Sequence, residues 1–321
     1  MKMYDKNYEY LLTKETEEIG YYIIEFYKVL LQIGNEKFIS NFLENIKTLK
    51  VKKVFKKNKK TGFLEVAQYL PDKNLIEYTE KYEFMIFHEL FHLASCNYRE
   101  NKIGFKKIFN NYTTYGQGCN EGYTTLLADR YFPNGFISYL FLPKIFVTIE
   151  NTIGIDKMSS FYFNEDPDIF YDELEKYLSE EEVNTFIDNT DFLLKAMLKD
   201  FNSSHKRKKI YKALKNTCDL VFKFIIKKTE DEYINNIITS EEALSIIDSI
   251  YYIDYNYIFN KELFGLYMYK LYDFESLTNL INNTSTEFHV PEEYIDDNYY
   301  FYKKKNGIHR VKKKEIKYIE S

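Results

Sequence analysis

Apolar residues in the first fifty positions recur at steps of three and four. Tyr8, Leu11, Leu12, Ile19, Tyr22, Ile23, Phe26, Leu30 and Ile33 line one face of a helix predicted over residues 4–33, with Gly34 as its natural stop. Phe38, Phe42, Leu43 and Ile46 do the same for a second helix, from Glu36 to Leu49. The period then shortens. Val51, Val54 and Phe55 stand among lysines, and the runs Phe63-Leu64-Glu65-Val66-Ala67-Gln68-Tyr69-Leu70 and Asn74-Leu75-Ile76-Glu77-Tyr78 follow. Asn58-Lys59-Lys60-Thr61-Gly62 and Pro71-Asp72 punctuate them, which predicts a short antiparallel sheet. Thr79 is a suitable N-cap for the next helix, predicted from Glu80 to Ser95 through Met85, Ile86, Phe87, Leu90, Phe91, Leu93 and Ala94. A helix that is apolar on nearly every side belongs in a core.

Helical spacing returns after residue 132, over Gly135 to Ile149, Asp168 to Leu178, Ser179 to Phe201, His205 to Lys228 and Thr239 to Tyr272. Ser179-x-x-Glu182 and Thr239-x-x-Glu242 are capping boxes that mark two of these starts. No repeat with a common signature recurs, so the helices do not form a solenoid. Asn279 to Thr286 is a polar linker, and Tyr299 to Lys304 and Ile308 to Lys314 flank Asn306-Gly307 as a hairpin. The fold class that follows is α+β, predominantly α, with a small antiparallel sheet and a larger helical C-terminal region. The expected divisions are N-terminal helices over 1–50, a core over 51–134, a helical region over 135–280 and a basic hairpin and tail over 281–321.

Composition narrows the class. With 321 residues, of which 45% are hydrophobic and 18% aromatic, the chain has the means to bury a substantial core. A formal net charge of −5 argues against a general nucleic-acid binder, although lysines cluster between Lys50 and Lys60 and again beside His309 and Arg310. Each cluster has the makings of an anion site, but a solvated strand edge and a solvated basic hairpin are the simpler readings. Three cysteines without framework spacing predict buried small hydrophobes in a reducing compartment. The opening residues lack a signal-peptide run, and the longest apolar stretch, Phe136 to Val147, is about 12 residues, too short to span a bilayer. The expectation is a cytoplasmic protein that engages no membrane.

Against this background one word carries chemistry: His88-Glu89-Leu90-Phe91-His92, in a chain with only five histidines. Two imidazoles four residues apart lie on one helix face about one turn apart and reach a single ion, while Glu89 leans toward the same edge. Three polar side chains inside an apolar helix need a partner, since an unpaired buried carboxylate costs on the order of several kcal/mol. A lone histidine on such a face is usually a hydrogen-bonded core residue, but this pair with its glutamate points to zinc, Zn2+. A catalytic zinc takes a third protein ligand. No third histidine follows at short spacing, and Cys96 lies about 12 Å along the axis from His88, too far to share the ion. Cys119 to Tyr131 predicts a further helix with Glu121 in its first turn, and Gly122 lets two helices approach closely enough for Glu121 to reach an ion held by the first.

His88-Glu89-Leu90-Phe91-His92 followed by Asn120-Glu121-Gly122 resembles the gluzincin arrangement of zinc metallopeptidases, which thermolysin-like enzymes and zinc aminopeptidases share. The likeness spans roughly residues 60–132. It implies a zincin-like core, zinc held by His88, His92 and Glu121, Glu89 as general base, and a peptide or protein substrate. Thermolysin-like enzymes place an Asp four residues after the ligand glutamate to orient a zinc histidine. Thr125 stands there in this chain, leaving that task to a weaker hydroxyl, to Asp129 or to another group. The Gly-x-Met-Glu-Asn substrate motif of the aminopeptidases is absent. Tyr115, Tyr123 and His205 are candidates for stabilising an oxyanion, each more simply explained as a packing or surface residue. The helices after residue 132 are expected to form the other half of a substrate cleft or, alternatively, a partner-binding domain. Two functions fit these residues: a zinc peptidase, or a helical protein-interaction module with a structural or inactive zinc. Glu89 favours the first, because a structural zinc needs no general base.

Overall fold

Threonine breaks the first apolar series. In the computed structural model, which describes residues 5–34, 36–54, 67–97, 102–109, 114–133, 142–164, 166–197, 204–246, 299–304 and 307–312, the expected helix over 4–33 is three pieces. Two 3-10 helices, Lys6–Leu11 and Glu17–Ile19, precede the α-helix α1, Gly20–Ile33. Between them the Thr16 hydroxyl accepts the Thr13 N–H at 2.9 Å and donates to the Thr13 carbonyl at 3.2 Å. Such side-chain bonds compete with the helical ladder and end it. Gly34, at φ 80°, closes α1 as expected, and α2 follows over Glu36–Ile46.

Three short strands come next: β1, Lys50–Lys53; β2, Ala67–Leu70; and β3, Leu75–Tyr78. They form one sheet in the order β1-β3-β2. The expectation of an antiparallel sheet is correct for β2 against β3 but not for β1, which runs parallel to β3. Asn74, at φ 44°, helps turn β2 back into β3, which makes that pair antiparallel, whereas β1 joins the other edge of β3 through a pairing of residues far apart in the chain, Lys50 facing Leu75. Lys52 pairs with Glu77 at 3.4 Å and Lys53 with Glu80 at 3.1 Å, as befits a charged edge strand. Lys56 to Lys60 lie outside the described residues.

The helix expected from Glu80 begins as a 3-10 helix, Glu80–Met85, bent at Tyr82, and becomes regular only as α3, Ile86–Ala94. The Thr79 side chain does not make the cap hydrogen bond. A second sheet, which no sequence period announced, follows: β4, Cys96–Asn97; β5, Lys102–Ile103; β6, Lys106–Ile108; and β7, Thr114–Tyr115, all antiparallel. Strands of two or three residues are too short to display alternation. Then come α4, Gln117–Tyr131; α5, Leu142–Ile153; α6, Ile155–Phe163; α7, Pro167–Glu175; and α8, Glu180–Met197. The capping box ahead of α8 forms, with Glu182 Oε2 accepting the Ser179 N–H at 3.0 Å. The fold is α+β, predominantly α.

Contacts group the chain into two units, Met1–Val183 and Asn184–Ser321. The core of the first is aromatic and centred on α3, where Leu90, Phe91, Leu93 and Ala94 are fully buried. Phe91 meets Phe26 of α1 edge-on at 4.7 Å, and Phe87 stacks on Phe132 at 3.7 Å. A fully buried ring such as Phe26 or Phe91 contributes about 1.5–3 kcal/mol by burial. The last carbonyls of α3 have partners as well: Asn41 Nδ2 donates to Ala94 O at 2.7 Å and Asn45 Nδ2 to Leu93 O at 2.9 Å, while Asn45 also reaches Cys96 O of β4 at 3.0 Å. α2 therefore pins the end of the helix that bears the two histidines.

The second unit contains the long helix α9, Ser204–Ile234, and a helix described over 240–246. The Thr239 capping box forms there, Glu242 Oε2 accepting the Thr239 N–H at 2.8 Å. The expected continuation of that helix to Tyr272, and the linker Asn279 to Thr286, lie outside the described residues. The strands expected on either side of Asn306-Gly307 pair antiparallel as β8, Tyr299–Lys304, and β9, Gly307–Lys312, with Lys304 opposite Gly307; Asn306 itself lies outside the described residues. Among the described residues, no helix is long and apolar enough to cross a membrane.

Candidate metal centre

Helical pitch places the first two donors. His88 and His92, one turn apart on α3, are both buried, and their rings meet edge-on with centroids 4.8 Å apart. Their Nε2 atoms stand 3.1 Å from each other. The third donor comes from α4, where Glu121 Oε2 lies 3.1 Å from His88 Nε2 and 3.4 Å from His92 Nε2. An ion bound at about 2.0–2.1 Å by tetrahedral ligands sets those ligands roughly 3.3 Å apart, and the observed triangle matches this to a few tenths of an ångström. Two imidazole lone pairs facing a carboxylate at these distances need a cation or a proton among them. The three residues can thus hold a metal ion. The Glu121 side chain, 13% exposed, is the most open of the three.

The electrostatics follow from burial and mutual charge. Burial pushes the Glu121 carboxyl up, but the charge of His92 and the hydrogen bonds of both imidazoles outweigh it and hold the carboxyl well below its usual range. For His88, burial opposes protonation, while its bond to Glu121 and the charges of Glu89, Glu121 and Asp129 raise it overall. The Glu89 carboxyl is pushed up, chiefly by burial and also by Glu121, against the pull of His88, His92 and the Tyr69 N–H. That N–H, on the edge strand β2, donates to Glu89 Oε2 at 2.7 Å. The sheet therefore reaches the site through one backbone bond, which fixes the carboxylate that stands beside the donors.

On its far side His92 is supported from α4. Its Nδ1 lies 3.1 Å from the Asn120 amide and 3.4 Å from the Thr124 hydroxyl. Asn120 Oδ1 in turn accepts the Phe105 N–H at 3.2 Å, and the Thr124 hydroxyl donates to the Asn120 carbonyl at 2.7 Å and pairs with Tyr162 at 2.6 Å. Thr125, the residue at the expected orienting position, does not take that role: its hydroxyl is buried and makes no hydrogen bond among the described residues. Asp129 acts on His88 through its charge. The groups behind His92 are thus Asn120 and Thr124. Asn120 was visible in the Asn-Glu-Gly word; Thr124 is marked only by standing one helical turn after it.

The remaining candidates make other contacts or lie outside the described residues. Tyr123 is fully buried with its hydroxyl donating to Glu150 Oε2 at 2.7 Å, on the opposite face of α4 from Glu121, so it is no oxyanion donor. Tyr115, on β7, packs edge-on against Tyr171 at 5.6 Å. His205 and His309 belong to the second unit, and their side chains lie outside the described residues. All three cysteines are buried. Gly122 does permit a close helix approach, but toward α5 rather than α3: a Cβ there would stand 2.7 Å from Phe146 Cδ2 and 2.9 Å from Leu142 Cβ. Compared with known proteins, the chain matches no family model, no curated protein and no solved structure.

Proposed function

We propose that this protein is a zinc-dependent peptidase of gluzincin type, in which His88, His92 and Glu121 hold the ion and Glu89 is the general base. The observation that carries the reading is the triangle of three donors at tetrahedral spacing with a second carboxylate, Glu89, beside it in α3. Zinc bound by three protein ligands supplies an acidified water, pKa ~7, and polarises a carbonyl. Glu89 takes the proton of the attacking water and delivers it to the leaving amine. The Tyr69 N–H anchors Oε2, which leaves Oε1 to carry that proton. Burial, by raising this carboxyl, brings it nearer the range in which a base can also serve as the acid for the second transfer. Hydrolysis then proceeds without a covalent enzyme intermediate. The substrate is a peptide or protein, and the buried cysteines suit a reducing, cytoplasmic setting.

The test is metal analysis of the purified chain, then incubation with a mixed peptide library with and without chelator. Chelator-sensitive cleavage that Glu89→Gln removes while bound zinc remains is the expected result. Cleavage that persists in Glu89→Gln would overturn the mechanism. Bound zinc without any cleavage in the wild type would turn the reading to a structural site in an interaction module.

A further inference from the structure

Behind the metal cluster the first unit buries a second polar cluster. Glu150 of α5 is fully buried, and both of its oxygens are taken by α4. Tyr123 Oη donates to Oε2 at 2.7 Å, Arg130 Nη1 donates to Oε2 at 3.2 Å, and Arg130 Nη2 pairs with Oε1. Ser159 of α6 stands 3.4 Å from the Tyr123 hydroxyl. Charged residues are seldom fully buried, and a structural helix contact is ordinarily made with apolar residues. At about 100° per residue, Tyr123 and Arg130 project roughly 180–200° around α4 from Glu121. Glu150 therefore grips α4 at two points, two turns apart, on the face directly behind the third metal donor. Between those two points and the donor, Gly122 lets α5 press against the α4 backbone, so little freedom remains for α4 to roll.

We infer that Glu150 is a positioning residue for Glu121: by clamping Tyr123 and Arg130 it fixes the rotation of α4 about its own axis, and so aims the Glu121 carboxylate at His88 and His92. This rests on the reading of His88, His92 and Glu121 as metal ligands. A roll of about 20° about an axis some 6 Å from the carboxylate moves its oxygen by about 2 Å, comparable to a whole metal–ligand bond.

Cobalt(II), titrated into the full-length, metal-free chain in place of zinc, gives both affinity and coordination geometry through its d–d absorption. Wild type is expected to bind cobalt(II) and Glu121→Ala to bind it more weakly with an altered band. A wild type that takes up no cobalt(II) would sink the site itself, and the inference with it. With the site established, Glu150→Gln is expected to weaken binding about tenfold and, at saturating cobalt(II), to shift the band as Glu121→Ala does. In the Glu121→Ala background the same substitution should change neither quantity, because the group it positions is gone. A merely structural role predicts lower thermal stability with a wild-type band at saturation, and that result would overturn the inference, as would an equal loss of affinity in both backgrounds. Should Glu150→Gln fail to fold by circular dichroism, Tyr123→Phe removes one arm of the clamp and keeps the ring. It is expected to shift the band in the same direction, less far, and an unshifted band would overturn the inference just as well.

Discussion

α3 and α4 contribute to one cluster by opposite means. α3 carries His88, Glu89 and His92 within nine residues, and their mutual placement is a property of the helix itself, enforced by its backbone hydrogen bonds. α4 carries one donor, and nothing within α4 aims it. Glu121 meets the imidazoles because α5 grips the back of α4, because the Asn120 amide is held by the Phe105 N–H, and because Thr124 is tied to Tyr162 of α6. One half of the site is local geometry and the other half is packing. The first is laid down by the helix and needs its surroundings only to orient the rings, as Asn120 and Thr124 do for His92; the second depends throughout on residues that never approach the ion.

The largest expected effect separates chemistry from metal within α3 alone. Glu89→Gln should lower peptide hydrolysis by about 10²–10⁴-fold with zinc content unchanged, as measured by a fluorogenic peptide and metal analysis of the same sample. The two halves are compared next through zinc-linked stability. At free zinc near a hundred times its Kd, the ion should stabilise the wild type by about 2.7 kcal/mol against denaturant, an increment that chelator removes. It should vanish in His92→Ala and shrink in Glu121→Ala; an undiminished increment in either variant would place the ion elsewhere.

Smaller effects probe the packing side. Gly116, at φ 76°, caps the start of α4, and a Cβ there would run into Tyr171 Oη and the Phe105 carbonyl. Gly116→Ala should cost about 2–4 kcal/mol in urea denaturation, from overpacking together with left-handed strain. The mirror experiment is nearly silent: Thr125→Val replaces a buried hydroxyl that has no hydrogen bond among the described residues, so stability should change by less than about 1 kcal/mol, if anything upward. Zinc affinity should stay constant in Thr125→Val and fall in Thr124→Val. A fall at 125 as large as that at 124 would return Thr125 to the support of a histidine.

The elements show the same division as the site. Long periodic stretches such as α1 after Gly20, α8 and α9 were legible because burial repeats every three or four residues over several turns. The break at Thr13 and Thr16 was not, since it depends on hydroxyls choosing backbone partners over the helical ladder. The second sheet was invisible because its strands are held by neighbours rather than by their own alternation. The parallel placement of β1 likewise rests on partners far along the chain, Lys50 facing Leu75, which no local pattern names. At the site, the direction of Gly122 toward α5 and the exchange of Thr125 for Thr124 are matters of helix rotation, which a linear string does not carry.

What the chain determined by itself is the α+β class and the pair of imidazoles with a carboxylate between them, because each shows in periodicity and spacing over a few helical turns; Glu121 was marked only by the Asn-Glu-Gly word it sits in. What only the tertiary structure decided is that Glu121 stands 3.1 Å from His88, that Asn120 and Thr124 back His92, and that Glu150 lies behind the donor helix. These depend on how helices far apart in sequence rotate against one another. That rotation is set by the summed packing of many side chains, and no short stretch of sequence encodes it.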